Sequence, residues 1–414
     1  MTNTETWCDV HLSVLRHRHV RNLALAQAAA TLGDRLFHMT VVWLFLSAGS
    51  TWIAAIVAAT AAVPSLLTAI GGPRVIDRCA DLRLLSVIDL TCAAAVGALA
   101  VSRSEQLPTA GVLVVGLLIG IHAAVGRPNV QALIPSLVSR KEAGQVIAML
   151  DLVDRIALAA GPGLAALLLT VLSRPQLLVA NAATYVVSAG TLLLVRRSLA
   201  RSGIVVRRRP PRPAEEVAPR GAPFRLRPDL RYAIGVRAAG ALLWPTVTLG
   251  IPLLVVDGYE GEVAGYGAVL TAFAAASVVG NLVAGNLRGM NLRLLCGLAW
   301  GVAGLLFLGL SAATSLPVMV AVYGVVGLIV PIGIVSIDMA VARSLSERHR
   351  AEVYATQRGV VDGANLIGLM MAPIFLEWGP RAAIALVGAA MVVVVSGIVT
   401  RWRVRLRVAR PAPA

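Results

Sequence analysis

The amino-acid sequence predicts an all-α polytopic membrane protein, with twelve transmembrane helices in two pseudo-symmetric six-helix bundles. Apolar runs of about 20 residues, the length that a helix needs to cross a bilayer, recur along the 414 residues. The polar joints between them are alternately rich and poor in arginine, as expected of loops on alternate sides of a membrane. Hydrophobic residues make up 57% and charged residues only 14% of the chain, whereas soluble domains carry about 25% charged residues.

The predicted spans form two sets of six, separated by a long polar segment. The first set is 22–47, 52–73, 84–102, 109–128, 145–171 and 175–195, and the second is 231–256, 263–287, 293–313, 317–340, 353–376 and 380–400. A short arm (1–21) precedes them, and a basic tail (401–414) follows. The segment 196–230 is rich in arginine and proline and cannot bury a core, so we expect a flexible linker between two bundles.

The positions of the basic residues predict the orientation. Basic residues collect in the N-terminal arm, in the joint after the second span, in the 196–230 linker and in the tail. The positive-inside rule therefore places both termini and the linker in the cytoplasm. The dominance of arginine over lysine favours a bacterial protein, so we expect it in the cytoplasmic membrane of a bacterium. We interpret the net charge of +16 as topology and expect contact with anionic lipid heads, not with nucleic acid.

The sequence lacks the common catalytic and cofactor motifs. Its four cysteines form no CxxC pair, and Lys141, followed by glutamate, is the only lysine. A phosphate-binding loop of the Walker A type requires Gly-Lys-Ser or Gly-Lys-Thr, and neither HExxH nor GxSxG occurs. We therefore expect no enzyme, no metal site and no cofactor, with a proton gradient as the source of energy.

One span carries a polar stripe. Gln27, Thr31, Asp34 and His38 recur at helical spacing on the first span. An ionisable residue inside a bilayer costs a few kcal/mol unless it is paired or hydrated, so it is a functional candidate by default. The stripe predicts that Asp34 binds a proton or a cationic substrate group; the alternative is a structural ion pair with Arg35.

Several motifs resemble those of the major facilitator superfamily. In the joint after the second span, Asp77 and Arg78 match the Asp-Arg of the superfamily's loop signature, while Pro73 and Ala80 stand at its two glycine positions. Gly161-Pro162 in the fifth span is similar to the Gly-Pro motif of drug and metabolite antiporters. The run 127–135 (RPNVQALIP) and the Gly33-Asp34 pair resemble the branch of drug, siderophore and macrolide exporters.

The resemblance implies that the first, fourth, seventh and tenth spans line a central cavity. Further substrate-binding candidates on the last three of these spans are His122, Arg127, Arg237, Trp244 and Tyr323. Alternatively, Arg127 and Arg237 extend to the membrane interface, and Trp244 packs against its neighbours.

Charged clusters near the cytoplasmic ends of the spans suggest an inner gate. The candidates are Asp77, Arg78, Asp151, Asp154, Arg155, Asp338, Arg358 and Asp362. Asp151 and Arg358 take corresponding positions in the two halves. The alternative interpretation is static ion pairing between helices.

Together these features favour a secondary transporter that works as a monomer by alternating access. We expect it to export a small organic compound in exchange for protons. The compound would be a drug, a siderophore or a secondary metabolite. Within the same fold, a lipid or lysolipid flippase and a metabolite importer remain alternatives. A hypothesis from another class is a membrane receptor or scaffold that does not transport.

Overall fold

The computed structural model describes residues 17–71, 81–102, 108–138, 171–201, 228–258, 263–286, 291–344 and 347–408, with scattered positions between 142 and 168. Within these ranges the chain forms eleven helices. They are α1 (Arg18–Ser47), α2 (Thr51–Gly71), α3 (Leu82–Ala100), α4 (Thr109–Leu137), α5 (Arg174–Arg201), α6 (Pro228–Gly258), α7 (Val263–Asn286), α8 (Leu292–Ser311), α9 (Leu316–Ser344), α10 (Glu347–Leu376) and α11 (Pro380–Val408).

Ten of these helices are long and apolar enough to cross a membrane, which makes the chain a multi-pass membrane protein. The remaining one is α1, where Asp34, Arg35 and His38 lower the hydropathy of the span. The predicted fifth span, 145–171, lies largely outside the described residues, so α5 corresponds to the sixth predicted span. The arrangement of twelve helices in two six-helix bundles stays a prediction.

The chain divides into two compact units. Unit 1 comprises Met1–Val41 and Thr60–Gly221, and unit 2 comprises Val42–Ala59 and Ala222–Ala414. The end of α1 and the start of α2 group with unit 2. The reason is apolar packing, since Leu46 and Ala55 share a buried cluster with Leu249 and Leu369. The division at the 196–230 linker stays a prediction.

In unit 1, α3 packs against α4 and α5. A buried cluster of Leu23, Leu85, Ile134, Leu150 and Leu199 joins the N-terminal part of α1 to the other helices of the unit. Most of these side chains are aliphatic, so this part of the unit supplies packing without polar chemistry. The polar residues of α1 around Asp34 lie further along the helix, after this apolar part.

In unit 2, the main helix pairs are α7 with α9, α6 with α10, and α8 with α11. Small residues permit the close approach of these helices. A Cβ atom on Gly327 of α9 would overlap the backbone of Phe273 on α7, and one on Gly368 of α10 would overlap the backbone of Leu242 on α6. The two contacts fix the register of α9 and α10 against their neighbours.

Candidate functional site

The polar stripe of α1 meets α5 at Asp34. The hydroxyl group of Tyr185 donates a hydrogen bond of 2.6 Å to Oδ1 of Asp34. Tyr185 is fully buried, whereas the side chain of Asp34 retains 20% of its exposure. The carboxylate is therefore held from one side by a buried donor and reachable from the other.

His122 of α4 lies between two carboxylates. Its Nε2 atom is 3.0 Å from Oδ1 of Asp89 on α3, and its Nδ1 atom is 3.8 Å from Oδ1 of Asp34. The imidazole ring also meets the ring of Tyr185 edge-on, with 5.8 Å between the centroids. One imidazole thus contacts an acid from each of two other helices.

Asp89 is the most buried ionisable group of this arrangement. Its side chain is 1% exposed, and Ser188 of α5 donates a hydrogen bond of 2.6 Å to its Oδ2 atom. A buried carboxylate is tolerated when it is paired and hydrogen-bonded. Ser188 and His122 provide that compensation. We call Asp34, Asp89, His122, Tyr185 and Ser188 the unit 1 cluster.

Glycine residues bring the helices of this cluster together. A Cβ atom on Gly33 would overlap Oγ1 of Thr184 and come within 2.9 Å of Oδ1 of Asn181, both on α5. The absence of a side chain at Gly33 therefore lets α1 approach α5, which sets Asp34 beside Tyr185. In the Gly33-Asp34 pair noted in the sequence, the glycine allows α1 to approach α5 and the aspartate provides the charged group.

The glycine of the Gly-Pro motif serves a similar purpose. A Cβ atom on Gly161 would come within 2.7 Å of the Cβ atom of Arg35. The aliphatic part of the Arg35 side chain thus packs on Gly161. Arg35 directly follows Asp34 in the chain.

The unit 1 cluster has groups that can hold and move a proton. Two carboxylates and one imidazole lie in a largely buried part of the unit, where the number of bound protons decides the net charge of the cluster. Among the described residues, no three His, Cys, Asp or Glu side chains are grouped so as to hold a metal ion. The arrangement is suited to proton binding and to pairing with a cationic group.

The other residues of the α1 stripe are half-buried on the same helix. Gln27 lies about two turns and Thr31 about one turn before Asp34, and each has an interaction partner in the structure. His38 lies one turn after Asp34 and is within electrostatic reach of Asp34 and Arg35. Their roles in binding stay predictions.

A second set of charges lies in unit 2. Asp338 of α9 and Asp362 of α10 are both within electrostatic reach of the Arg237 guanidinium on α6. Oδ1 of Asp338 accepts a hydrogen bond of 3.1 Å from Gln357, and Arg358 lies 3.6 Å from Asp362. The structure thus brings together four residues that the sequence assigned to two sites: Arg237 to the cavity and the other three to a gate.

Trp244 and Tyr323 belong to an aromatic cluster in unit 2. The ring of Tyr323 stacks on that of Phe273, with 4.8 Å between the centroids, and Trp244 contacts Phe273, Phe307 and Tyr323. Tyr323 is 1% exposed and Phe307 is fully buried. Packing accounts for these positions, and a contact with substrate stays a prediction.

Some predicted residues cannot be placed. Arg127 lies within α4, but its side chain is outside the described part of the structure. The remaining gate candidates, Asp77, Arg78, Asp151, Asp154 and Arg155, lie outside the described residues.

The sequence analysis missed three members of the unit 1 cluster. Asp89 could have been found, because it is an acid within the third predicted span and satisfies the same criterion as Asp34. Tyr185 and Ser188 gave no such signal, since neutral hydroxyl side chains are ordinary in membrane helices. Only their position opposite the two acids reveals their part in the site.

Helices long enough to cross a bilayer, packed around a buried ionisable cluster, are typical of membrane transporters. The family model described as Major Facilitator Superfamily matches residues 23–287. The chain belongs to that superfamily. The family and its structural neighbours point to a transporter of a small molecule, not to an enzyme.

The fold is similar to those of several solved transporters. A bacterial homologue of the iron transporter ferroportin, in an inward-facing state, is 16% identical, with a TM-score of 0.66 over 92% of this chain and 99% of that one. A bacterial homologue of the human lysosomal transporter Spinster is 13% identical, with a TM-score of 0.65 over 96% and 99%. A POT family transporter in complex with a thioalcohol-conjugated peptide is 10% identical, with a TM-score of 0.71 over 92% and 96%. No curated protein matches the chain in sequence.

Proposed function

We propose that this protein is a secondary active transporter that exports a small organic compound, a drug, siderophore or secondary metabolite, in exchange for protons. The observation that carries the proposal is the unit 1 cluster, in which the half-buried Asp34 shares His122 with the buried Asp89. The superfamily provides the transport mechanism, alternating access, and the cluster provides the group that couples it to a proton.

The argument rests on the net charge of the cluster. With both acids ionised and His122 neutral, two negative charges stand close together in a medium of low dielectric constant. Such a state is costly, and a bound proton relieves it. A cationic group of a substrate beside Asp34 would relieve it equally, so proton and substrate would compete for one site. Competition of this kind is a physical basis for exchange.

The geometry supports Asp34 as the point of exchange. Asp89 is closed off by Ser188 and His122, whereas Asp34 keeps part of its surface exposed. The carboxyl group of Asp34 accepts a hydrogen bond from Tyr185. The export direction follows from the resemblance of the Gly33-Asp34 pair, the Gly161-Pro162 motif and the 127–135 run to exporters.

The first experiment identifies a transported compound. The full chain is expressed in a bacterial host that lacks its own efflux pumps, and growth is scored against a panel of drugs, siderophores and secondary metabolites. Protection by the wild type, lost in Asp34→Asn, is the expected result. Glu377→Gln is the matched control, because this exposed acid just after α10 accepts a hydrogen bond from Trp52 and does not belong to the unit 1 cluster. This variant should retain protection.

The second experiment measures coupling. Purified protein in detergent receives the compound against which protection was strongest, and a pH dye reports proton release. We expect release from the wild type and from Glu377→Gln, but none from Asp34→Asn. Full transport driven by a pH gradient in Asp34→Asn would refute the role of this residue, and net uptake of the compound along the proton gradient would refute export.

A further inference from the structure

The proposal in this subsection rests on the proposed function and assigns separate roles within the unit 1 cluster. We propose that Asp89 and Ser188 are positioning residues for His122: they fix the ring so that its Nδ1 atom faces Asp34 and exchanges the transported proton with that carboxyl group. Asp34 is then the acid that gains and loses the proton, and His122 is its partner.

Asp89 is anchored by a hydrogen bond at one oxygen atom and by a short ion-pair contact at the other. Oδ2 accepts the hydrogen bond from Ser188 at 2.6 Å, and Oδ1 lies 3.0 Å from Nε2 of His122. The two contacts come from different helices, α5 and α4, and the side chain is buried between them. Asp89 therefore cannot turn away from the imidazole without leaving a buried carboxylate with fewer partners, which costs about 1–3 kcal/mol or more.

The hydrogen-bonding capacity of the ring decides which nitrogen carries the proton. A neutral imidazole has one N–H, and an ionised carboxylate can only accept. Oδ1 of Asp89 lies 3.0 Å from Nε2, a short ion-pair contact that is not aligned as a hydrogen bond. From this contact we assign the N–H to Nε2, which leaves the lone pair of Nδ1 on the Asp34 side. Among the described residues Nδ1 has no hydrogen-bond partner, so it is available to a proton.

The exchange step is a simple proton transfer. A hydrogen bond requires about 2.7–3.2 Å between the heavy atoms, so the protonated carboxyl of Asp34, now at 3.8 Å, must come about 1 Å closer. The O–H bond then breaks as the N–H bond forms at Nδ1. Asp34 becomes a carboxylate that keeps the hydrogen bond from Tyr185, and His122 becomes an imidazolium between two acids. The reverse step returns the proton, and no other reactant takes part.

The neighbouring charged and titratable groups are compatible with this assignment. Arg35 and His38 lie on α1 with Asp34, and Cys92 lies on α3 within electrostatic reach of both acids. Arg35 contributes a fixed positive charge on the Asp34 side. On the Asp89 side, Ser188 contributes a hydroxyl group and no charge. The two acids thus differ in their surroundings, which suits one of them to exchange and the other to hold the ring.

The test measures the state of the ring directly. The full chain with ¹⁵N-labelled histidine is placed in lipid nanodiscs, and the ring nitrogens of His122 are identified among the six histidines by their loss in His122→Gln. The wild type should show the Nε2–H form at high pH. In Asp89→Leu, Asp34 becomes the remaining acceptor, and the dominant form should change from Nε2–H to Nδ1–H.

Ser188→Ala provides a milder variant that keeps the buried charge, in case Asp89→Leu does not fold. Loss of its hydrogen bond should shift the Nε2 resonance of His122 towards that of a free ring. The matched control is Ser86→Ala on α3, a buried serine whose hydroxyl group donates a hydrogen bond to the carbonyl of Leu82. This variant should leave the spectrum unchanged.

Two results would overturn the proposal: a wild-type His122 in the Nδ1–H form, or an unchanged His122 spectrum in both Asp89→Leu and Ser188→Ala. Neither depends on transport. Failure of the proposed function would instead appear as the absence of proton release from the wild type when a compound is added. A correct positioning assignment with no coupled transport, or the opposite, can thus be distinguished.

Discussion

Tyr185 donates a hydrogen bond of 2.6 Å to Asp34 and joins α5 to α1 at the polar stripe. Tyr185 also meets the ring of His122 edge-on, so one buried side chain contacts both members of the proposed exchange pair. Its hydroxyl group holds the carboxyl group of the acid, and its ring limits the movement of the imidazole. The relationship makes Tyr185 a sensitive place to perturb the site without altering its charged groups.

Tyr185→Phe removes the hydroxyl group and keeps the ring. A hydrogen bond to a charged group contributes about 1.5–3 kcal/mol, so we expect the rate of coupled transport to fall roughly 10- to 100-fold. The measurement is the initial rate in proteoliposomes under a fixed pH gradient. Tyr266→Phe is the control, since it removes a hydroxyl group from α7 while the stack of Tyr266 on Trp43 stays. Equal rates in the two variants would contradict the role of the Tyr185 hydroxyl group.

Gly33→Ala tests the close approach that brings Asp34 to Tyr185. The added Cβ atom meets Thr184 and Asn181 on α5, and forced overpacking typically costs about 1–3 kcal/mol. Thermal unfolding in detergent should show a lower Tm, by roughly 2–4 °C for each kcal/mol, together with reduced transport.

Gly190→Ala on α5 is the matched control for this substitution. A Cβ atom at Gly190 meets nothing within 4 Å, so its Tm should equal that of the wild type or exceed it slightly. Thr184→Ala combined with Gly33→Ala removes the overlapping hydroxyl group and should recover part of the loss. If Gly33→Ala unfolds at the wild-type temperature, α1 and α5 are further apart than described.

The sequence predicted most helices but only part of the site, for a physical reason. The predicted span 84–102 corresponds to α3, Leu82–Ala100, because about 20 apolar residues identify a crossing helix whatever its neighbours are. Asp34 and His122 were found by their charge or polarity alone. Their contact, and the participation of Tyr185, depend on how each helix is rotated against the next. That rotation is set by contacts such as Gly33 on Thr184, which a single sequence does not contain.

The charged residues of unit 2 also show that contacts between different helices cannot be derived from a single sequence. Spacing along one helix suggested the pair Arg358 and Asp362, which lie 3.6 Å apart. It gave no indication that Arg237, more than one hundred residues earlier, is within electrostatic reach of Asp362 as well as of Asp338. The helical period predicts which residues of one helix are neighbours. Contacts between residues of different helices are known only once the helices are packed in a structure.

Tyr323 offers a test between packing and substrate binding. The side chain is 1% exposed and stacks on Phe273, so packing predicts that Tyr323→Phe keeps both Tm and transport near wild type. Tyr323→Ala should lower the free energy of unfolding by about 3–5 kcal/mol, as other large-to-small changes of buried aromatics do. A Tyr323→Phe variant with wild-type Tm but a several-fold change in the KM for transport would instead favour a direct contact with the substrate.

Arg237→Leu tests the charge balance of unit 2. Removing one partner from a buried charged group leaves the others uncompensated, at a cost of about 3 kcal/mol, and Asp338 and Asp362 are the acids concerned. Asp338→Asn combined with Arg237→Leu should lose less stability than the sum of the two single variants, since contacting residues typically couple by 0.5–3 kcal/mol. The measurement is a double-mutant cycle of unfolding free energies in detergent.

Arg358→Leu is the matched control for Arg237→Leu, because it removes the same charge from beside Asp362. The side chain of Arg358 is 69% exposed, and an exposed ion pair contributes only about 0.2–1 kcal/mol. We therefore expect a small loss of stability in Arg358→Leu and a large one in Arg237→Leu. Similar losses in the two variants, or strict additivity of Arg237→Leu with Asp338→Asn, would show that Arg237 does not compensate the acids of α9 and α10.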